Sequence, residues 1–534
     1  MGRWEDYLSF LDRSIYSVDV LTSNLAPKKA IPPQRIRVDK LGYTLWSFQQ
    51  SMLKRIIGDV LILGLPTGLG KTYLAGAYLR EKSREETIKV LFLVPSVPLG
   101  VQQTLFAKYM LNINAYFISG AISPEARERL KVWNAGYVVS TPQTFYNDFL
   151  KPYSQSFAKV RETEDPTTLL SQELQDSGFT FPYDIIIADE CQGYIGETDG
   201  YSILLAAKTC GARILALSAT PQLHAPRRLK ELKKVFNRIE VFSIEDPQIK
   251  EHMPERLLVV VRLHMPKPLQ KVYMALGKVV QAQSKRVTEA YGLGHAGKYC
   301  REHPICIGLI ALKILRLRLV EDGASSVIKY GIWRRRELRS PRQELGGKSI
   351  YEAYREALTQ NFNHKFPIAI SLLECESYGK AIVYVEAVEA AKQLGGMLQK
   401  KYGIEDVAIL VGKGGMDMDQ QASALLQFKE RARILVSTSV GEEGLDIPSA
   451  DLEVWVDPPG NPKKWIQRFG RILRQPGDKT LAKTYALVSM RTHEKNKLLG
   501  VKRRTEKAYG FTQKMMEETY TSLPRDQKPL TRYL

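Results

Sequence analysis

The sequence contains few cysteines, and none of them is arranged as a pair. Its 534 residues include five, Cys191, Cys210, Cys300, Cys306 and Cys375, with no Cys-x-x-Cys spacing. An odd, scattered set argues against a disulfide framework and favours a reducing compartment. His303 lies between Cys300 and Cys306, but no second group of ligands accompanies them. We therefore predict small apolar side chains beside a surface histidine, and not a zinc site.

Long apolar runs are also missing. No stretch of 18 uncharged apolar residues occurs, so no membrane span is expected. The N-terminal segment carries Glu5, Asp6 and Asp12, where a signal peptide has a basic start and an apolar core. We therefore expect a cytoplasmic, intracellular location.

Basic residues, in contrast, are in excess. Lysine and arginine number 77 against 57 aspartates and glutamates, which gives a formal net charge of +20. An excess of this size favours a polyanionic partner such as nucleic acid, the alternative being a basic protein without such a partner. The chain length predicts about three domains.

Short apolar runs bounded by glycine, proline or polar residues recur in two sets. The runs are 59–65, 89–95, 136–141, 183–190 and 213–220, and then 380–386, 407–412, 433–439, 452–457 and 483–489. Such runs suit parallel strands that are covered on both faces, and helical patterns such as 72–85 lie between them. The alternation predicts two α/β domains with doubly wound parallel sheets. The first, with an N-terminal extension, spans 1–245, and the second spans 377–495.

The remaining segments differ in pattern and charge. Residues 262–376 contain long helical stretches, with 20 lysines and arginines against 10 aspartates and glutamates. They predict a basic helical insertion domain between the two α/β domains. Residues 496–534, which include the run KRRTEK, predict a basic helical tail. Residues 153–178 are poor in hydrophobic residues and predict a loop or lid.

The strongest local motif is LPTGLGKT, residues 65–72, which lies between an apolar run and a helical pattern, the context of a phosphate-binding loop. The predicted nucleotide-binding residues are Thr67, Gly68, Gly70, Lys71 and Thr72. Glycines let backbone N–H groups face phosphate oxygens, Lys71 would neutralise the β- and γ-phosphates, and Thr72 would hold Mg²⁺. Leu65 stands where the general pattern has its first glycine, and the alternative is a glycine-rich turn with a surface lysine.

An acidic pair, Asp189 and Glu190, ends the apolar run at 183–190. Carboxylates at the C-terminal edge of a strand face the ligand crevice in open α/β sheets. Asp189 is predicted to coordinate Mg²⁺, and Glu190 to orient and deprotonate the attacking water. Alone, such a pair is usually a solvated strand end, but the phosphate-binding loop upstream favours the catalytic interpretation.

A run of arginines closes the second α/β set, in IQRFGRILR at 466–474. On a helix, Gln467, Arg471 and Arg474 share one face. Guanidinium groups there can reach phosphates across a cleft, as arginine fingers do. The alternative is a basic surface helix.

Together these motifs resemble those of a superfamily 2 helicase. LPTGLGKT resembles motif I, DECQ (189–192) motif II, SAT (218–220) motif III, STSVGEEGLDIP (437–448) motif V and QRFGRILR (467–474) motif VI; residues 94–103 and 138–144 resemble the strand-contacting motifs Ia to Ic. The matches span residues 46–474 in the order of the family. Within the superfamily they look most like the Hef and FANCM group, with the RIG-I and Dicer helicases as cousins.

The resemblance implies two RecA-like domains with a helical insertion between them, and one ATP with Mg²⁺ in the cleft. The further residues that it assigns to nucleotide binding or catalysis are Gln49, Gln192, Gly441, Asp446, Gln467, Arg471 and Arg474. It assigns contacts with nucleic acid to Thr141, Gln143 and Ser439, and a relay role to Ser218 and Thr220.

Three departures from the family's pattern stand out. Motif II has Cys191 and Gln192 where the family has DEAH or DECH, so ATP coupling would run through an amide instead of an imidazole. Motif VI has Phe469 and the pair 472–473 where Hef is more polar. Because the chain ends at Leu534, we expect no nuclease module.

The resemblance implies an ATP-dependent DNA helicase or translocase that acts on forked or branched DNA, in repair or fork remodelling. One alternative is an RNA helicase or RNA-stimulated ATPase of the RIG-I/Dicer type, although no RNA-binding module such as an RRM is visible. The other is a non-catalytic nucleic-acid-binding module. The residues that argue against it are all present: Lys71, Thr72, Asp189, Glu190, Arg471 and Arg474. The expected partner is nucleic acid, DNA more than RNA, and no membrane.

Overall fold

The structure, a computed structural model, has two α/β lobes. It describes residues 25–57, 61–65, 68–161, 163, 166–219, 226–243, 245–251, 253–291, 304–321, 344–345, 348–349, 363–412, 414–438, 447, 450–472, 481–511 and 513–520. Within these ranges no helix is long and apolar enough to cross a membrane.

The first lobe is built on a seven-stranded parallel sheet. Its strands are β1 (Leu61–Gly64), β2 (Val90–Leu93), β3 (Tyr116–Ile118), β4 (Tyr137–Ser140), β5 (Ile185–Ala188), β6 (Arg213–Ser218) and β7 (Arg238–Val241), in the order β3-β4-β2-β5-β6-β1-β7. Every residue of β2, β4 and β5 is buried, because helices cover both faces of the sheet. The order places the C-terminal ends of β5, β6 and β1 side by side.

The helices of this lobe fill the connections between its strands. They are α1 (Ser47–Ile56), α2 (Lys71–Lys82), α3 (Val97–Met110), α4 (Pro124–Arg129), α5 (Pro142–Phe149), α6 (Ser154–Arg161), α7 (Pro166–Asp176), α8 (Asp199–Thr209) and α9 (Pro226–Val235), with 3₁₀ turns at Val132–Asn134, Lys151–Tyr153 and Cys191–Tyr194. A short helix, α10 (Pro247–Lys250), follows β7.

The second lobe has a parallel sheet of the same size. Its strands are β8 (Glu255–Leu263), β11 (Ala381–Tyr384), β12 (Val407–Leu410), β13 (Ile434–Ser437), β14 (Leu452–Trp455), β15 (Leu481–Ser489) and β16 (Lys514–Tyr520), in the order β12-β13-β11-β14-β15-β8-β16. Its helices are α13 (Phe366–Cys375), α14 (Val388–Tyr402), α15 (Met418–Glu430), α16 (Pro462–Ile472) and α17 (Glu494–Tyr509). The predicted fold class, two doubly wound parallel sheets, is confirmed.

Two long helices interrupt the second lobe between β8 and α13. These are α11 (Lys267–Tyr291) and α12 (Pro304–Glu321), followed by a hairpin of β9 (Glu344–Leu345) and β10 (Lys348–Ser349). The guanidinium of Arg316 on α12 lies 4.2 Å from the ring centroid of Tyr273 on α11. The described parts of this region, 267–291 and 304–321, are thus helical, while the insertion as a domain stays a prediction.

The structure differs from the sequence pattern in three places. The sheet of the second lobe includes β8, which ends at the start of the predicted insertion, and β16, which lies in the predicted tail. Residues 494–509 form α17, which packs on that sheet through Leu498 and Val501. Within the segment predicted as a loop or lid, 154–161 form α6 and 166–176 form α7, because Leu170 and Leu174, one helical turn apart, are buried against the first lobe.

Candidate nucleotide-binding site

The loop between β1 and α2 has the backbone geometry of a phosphate-binding loop. Gly68 and Gly70 adopt left-handed φ angles of 90° and 79°, which side chains with a Cβ disfavour. A Cβ on Gly70 would lie 2.4 Å from Nε2 of Gln49. Lys71, the first residue of α2, donates a hydrogen bond from Nζ to the Leu65 carbonyl over 3.1 Å. The N-terminus of α2 therefore lies at a loop suited to bind an anion.

Gln49 lies against this loop. It is almost fully buried on α1, and its Nε2 donates to the Leu69 carbonyl over 3.1 Å. Its Oε1 accepts a hydrogen bond from the Trp46 backbone N–H over 2.9 Å. Two hydrogen bonds thus fix the amide at the phosphate-binding loop.

The acidic pair follows β5 at the same edge of the sheet. Burial and the adjacent Glu190 carboxylate raise the pKa of Asp189 to about 7, and Lys71 acts in the opposite direction. Two neighbouring carboxyl groups, one buried and one half-buried, favour a cation there. Glu190 itself has a φ of 52°, a left-handed conformation that a non-glycine residue seldom adopts and that is enriched at functional sites.

A chain of hydrogen bonds links Glu190 to the end of β6. The Gln192 amide donates to Oε2 of Glu190, and the Ser218 hydroxyl donates to Oε1 of Gln192 over 2.6 Å. The Ser218 carbonyl in turn accepts from the Leu65 N–H over 2.9 Å. The structure therefore connects motif II, motif III and the start of the phosphate-binding loop through Gln192, the residue that departs from the family's pattern.

One residue of this site, Gln103, was not singled out by the sequence. It lies on α3, is 2% exposed, and its Nε2 is 3.3 Å from Oγ1 of Thr72 and 3.4 Å from Oδ2 of Asp189. It therefore joins the two predicted metal ligands. The available signal was its place at the end of the motif Ia segment, on the helix that follows β2, the neighbour of β5.

The residues at this place fit a nucleotide-bound Mg²⁺ ion. Mg²⁺ is usually held by one or two carboxylates and by substrate phosphates, and it keeps several waters. Asp189 and Thr72 supply that kind of partial ligand set, and within the described ranges no group of three His, Cys, Asp or Glu side chains could hold a metal by itself. The segment from Cys300 to His303 lies outside the described residues.

The arginine-bearing segment forms α16 in the second lobe. Gln467 and Arg471 are each 5% exposed, one helical turn apart. Arg468 is fully buried and has a structural role, because Nη1 donates to the Asp457 carbonyl over 2.7 Å and Nη2 donates to Glu386 over 3.1 Å. Arg468 thus anchors the helix that carries Gln467 and Arg471.

Behind this anchor lies a fully buried ion network. Nζ of Lys365 is 3.3 Å from Oδ1 of Asp457 and 2.5 Å from Oε1 of Glu494. Burial alone lowers the pKa of Lys365, but Glu494 and Asp457 hold that pKa above its ordinary value. The lysine therefore stays charged, and the network fixes the strand end whose carbonyl accepts from Arg468.

Several predicted site residues are not placed. Thr67, Thr220, Ser439, Gly441, Asp446 and Arg474 lie outside the described residues. Thr141 and Gln143 lie at the start of α5, beyond the C-terminal end of β4. The Thr141 hydroxyl is 2.9 Å from that of Thr144, while Gln143 is exposed. The contacts of these residues with nucleic acid remain predictions.

Comparison with known proteins agrees with this arrangement. The family model described as type III restriction enzyme, res subunit, matches residues 43–223, which include the phosphate-binding loop and the acidic pair. The model described as helicase conserved C-terminal domain matches residues 364–475, which include α16.

Relatives match over most of this chain. The ATP-dependent DNA helicase mph1 of Neurospora crassa is 24% identical over 80% of this chain and 40% of its own length. A candidate ATP-dependent RNA helicase of Methanocaldococcus jannaschii is 22% identical over 83% and 58%. The chain thus spans about half the length of the curated relatives it matches. The Pyrococcus furiosus Hef helicase domain shares the fold, with a TM-score of 0.55 and 21% identity over 85% of this chain and 97% of that one.

The family models and the two-lobed fold identify the chain as a superfamily 2 helicase, as its motifs indicated. A Hef helicase domain and DNA helicases named mph1 and Fancm are among the proteins it resembles, at 21%, 24% and 22% identity.

Proposed function

We propose that this chain is an ATP-dependent DNA helicase or translocase that acts on forked or branched DNA. The observation that carries the proposal is the hydrogen-bonded chain from Glu190 through Gln192 to Ser218 and on to the phosphate-binding loop. It joins the carboxylate suited to activate water with the strand ends around the nucleotide, so a change at the phosphates reaches β6 directly.

Residues of both lobes take part in ATP hydrolysis. Lys71 and the N-terminus of α2 bind the phosphates, and Glu190 accepts a proton from the attacking water. Mg²⁺, when bound with the nucleotide through Thr72 and Asp189, neutralises phosphate charge. Arg471 of the second lobe stabilises the charge of the transition state when the lobes close, which ties each hydrolysis event to a movement of one lobe against the other.

DNA is favoured over RNA by the names of the relatives. The N. crassa and Drosophila melanogaster relatives are named as DNA helicases, whereas the M. jannaschii relative is named as an RNA helicase. An RNA-stimulated ATPase is therefore the second candidate. A non-catalytic module is disfavoured, because it would have no use for Lys71, the buried Asp189 and Glu190 together at one edge of the sheet.

Unwinding and ATPase assays on matched nucleic acids distinguish a DNA substrate from an RNA substrate. A synthetic three-way or four-way DNA junction should be separated in an ATP-dependent manner, and it should stimulate ATP hydrolysis more than an RNA duplex of the same sequence. Stimulation by RNA alone would replace the DNA proposal with the RNA-stimulated ATPase. No hydrolysis with any of these nucleic acids would favour the non-catalytic module.

The insertion offers a surface for the adjacent duplex. Lys267, Lys271, Lys278 and Lys285 are all exposed on α11. Their spacings of four, seven and seven residues keep them within roughly 40° of one helix face, along about 27 Å. A row of cations of this length can follow the phosphates of a duplex, whose charges are spaced by about 1.7 Å along the axis.

Replacing Lys271, Lys278 and Lys285 together with glutamine should weaken the salt dependence of duplex binding. The slope of log K against log salt concentration is negative, and each lost phosphate contact makes it shallower by about 0.9. The slope of the triple variant should therefore be shallower by up to roughly 2.7. Fluorescence anisotropy with a labelled DNA duplex at several salt concentrations measures the slope.

A variant with the same change in net charge provides the control. Lys28, Lys29 and Lys400 are exposed and lie outside α11. Their triple replacement by glutamine should leave the slope close to that of the unmodified protein. Equal slopes for both triple variants would show that the stripe on α11 does not bind the duplex.

A further inference from the structure

The buried amide of Gln103, the last residue of the segment that resembles motif Ia, has a place in the nucleotide site that the sequence did not assign to it. It lies on α3, between Thr72 at the start of α2 and Asp189 at the end of β5. Its single Nε2 group has two hydrogens, and it has two acceptors within 3.4 Å, the Thr72 hydroxyl and the Asp189 carboxylate. One donor group from a third element therefore holds together two oxygens, one on α2 and one just after β5.

The other end of the same amide is also informative. Oε1 of Gln103 is buried and receives no hydrogen bond from the described residues. Buried carbonyl oxygens are nearly always satisfied, so such an atom marks a place where a further donor binds. Because Mg²⁺ keeps several of its waters in protein sites, a metal-bound water is a donor of the required kind.

We infer that Gln103 is a positioning residue for the metal, acting through Thr72 and Asp189 by fixing their oxygens before the metal binds. The inference rests on the proposed function, since it concerns the metal that accompanies the nucleotide. Partners that hydrogen-bond to metal ligands orient those ligands, and their loss typically costs 10–100-fold in metal affinity. Burial strengthens both hydrogen bonds, because no solvent competes for the amide.

The test separates metal affinity from nucleotide affinity. Gln103→Leu removes the donors at similar side-chain size. Binding of a fluorescent ADP analogue is measured with EDTA and across a Mg²⁺ titration. We expect the half-saturating Mg²⁺ concentration to rise about tenfold or more, with the affinity in EDTA unchanged within about twofold. If Gln103 only packs α3, its replacement would weaken nucleotide binding equally in EDTA and in Mg²⁺. That result would overturn the inference.

A matched control lies at the next position of the same helix. Thr104 is fully buried, and its hydroxyl donates to the Gly100 carbonyl over 2.7 Å. Thr104→Val disturbs α3 at a comparable depth and should leave the Mg²⁺ titration unchanged. If Gln103→Leu does not fold, Gln103→Met supplies a flexible apolar replacement for the same measurement.

Failure of the inference and failure of the proposed function have different signatures. If the unmodified protein binds nucleotide equally well with Mg²⁺ and with EDTA, the metal site itself is wrong, and both fall. If the unmodified protein requires Mg²⁺ and Gln103→Leu has the same half-saturating concentration, the inference about Gln103 falls alone.

Discussion

Replacing Arg471 with alanine is expected to lower the rate of ATP hydrolysis by about 10³–10⁵, the contribution of arginine fingers in related NTPases. Arg471 lies on the helix that Arg468 anchors, so its guanidinium is held by a rigid element of the second lobe. Because its charge is needed only when the lobes close on the transition state, nucleotide binding should change little. Steady-state hydrolysis with saturating DNA, together with binding of a fluorescent ATP analogue, measures both quantities.

The control for Arg471→Ala is Lys463→Ala, which removes a cation from the first turn of the same helix. It should hydrolyse ATP at nearly the rate of the unmodified protein. Arg474 is expected from the sequence to act together with Arg471. Rapid hydrolysis by Arg471→Ala would show that α16 does not reach the nucleotide.

Replacing Glu190 with glutamine is expected to lower ATP hydrolysis by about 10²–10⁴, since a general base typically contributes that factor. The substitution keeps the size of the side chain and removes only the group that accepts the proton. The Glu190→Gln variant should therefore still bind ATP. Lys71→Ala, which removes a phosphate contact, should also lose ATP hydrolysis. Single-turnover hydrolysis with radiolabelled ATP measures the chemical step.

Glu197→Gln is the matched control for Glu190→Gln. Glu197 is exposed, seven residues further along the same connection. Its substitution makes the same chemical change away from the strand ends, so hydrolysis should be preserved. If Glu190→Gln hydrolyses ATP as fast as this control, another group activates the water and Glu190 has a structural role.

The parts of the site that the sequence predicted are those encoded locally. The loop at Gly68–Lys71 requires left-handed backbone between a strand and a helix, and a short segment of sequence contains all of these signals. The acidic pair is similar, because Asp189 directly follows an apolar run. Fully buried parallel strands such as β2 and β5 are continuous apolar runs, which made them easy to predict.

The parts that the sequence missed depend on contacts between distant segments. Gln103 gained its place from the packing of α3 against α2 and β5, which its own neighbours in sequence do not encode. Arg468 has the same residue type as Arg471, and only the position of Asp457 shows that it is an anchor. β16 was missed because it is an edge strand whose neighbouring Met515 and Met516 are both more than one third exposed, so it lacks the pattern of a buried strand.

The position of β8 has a consequence for how the protein is made. It leaves the ribosome before the insertion, yet its two neighbours in the sheet, β15 and β16, come more than 200 residues later. At about 5–20 residues per second, roughly 10–50 s pass before they are synthesised. During this time the apolar run from Leu257 to Val261 has no strand beside it, which is the kind of exposed segment that chaperones bind and that aggregates when they do not. A chain truncated before residue 514 would lack β16, and one edge of β8 would stay unpaired permanently.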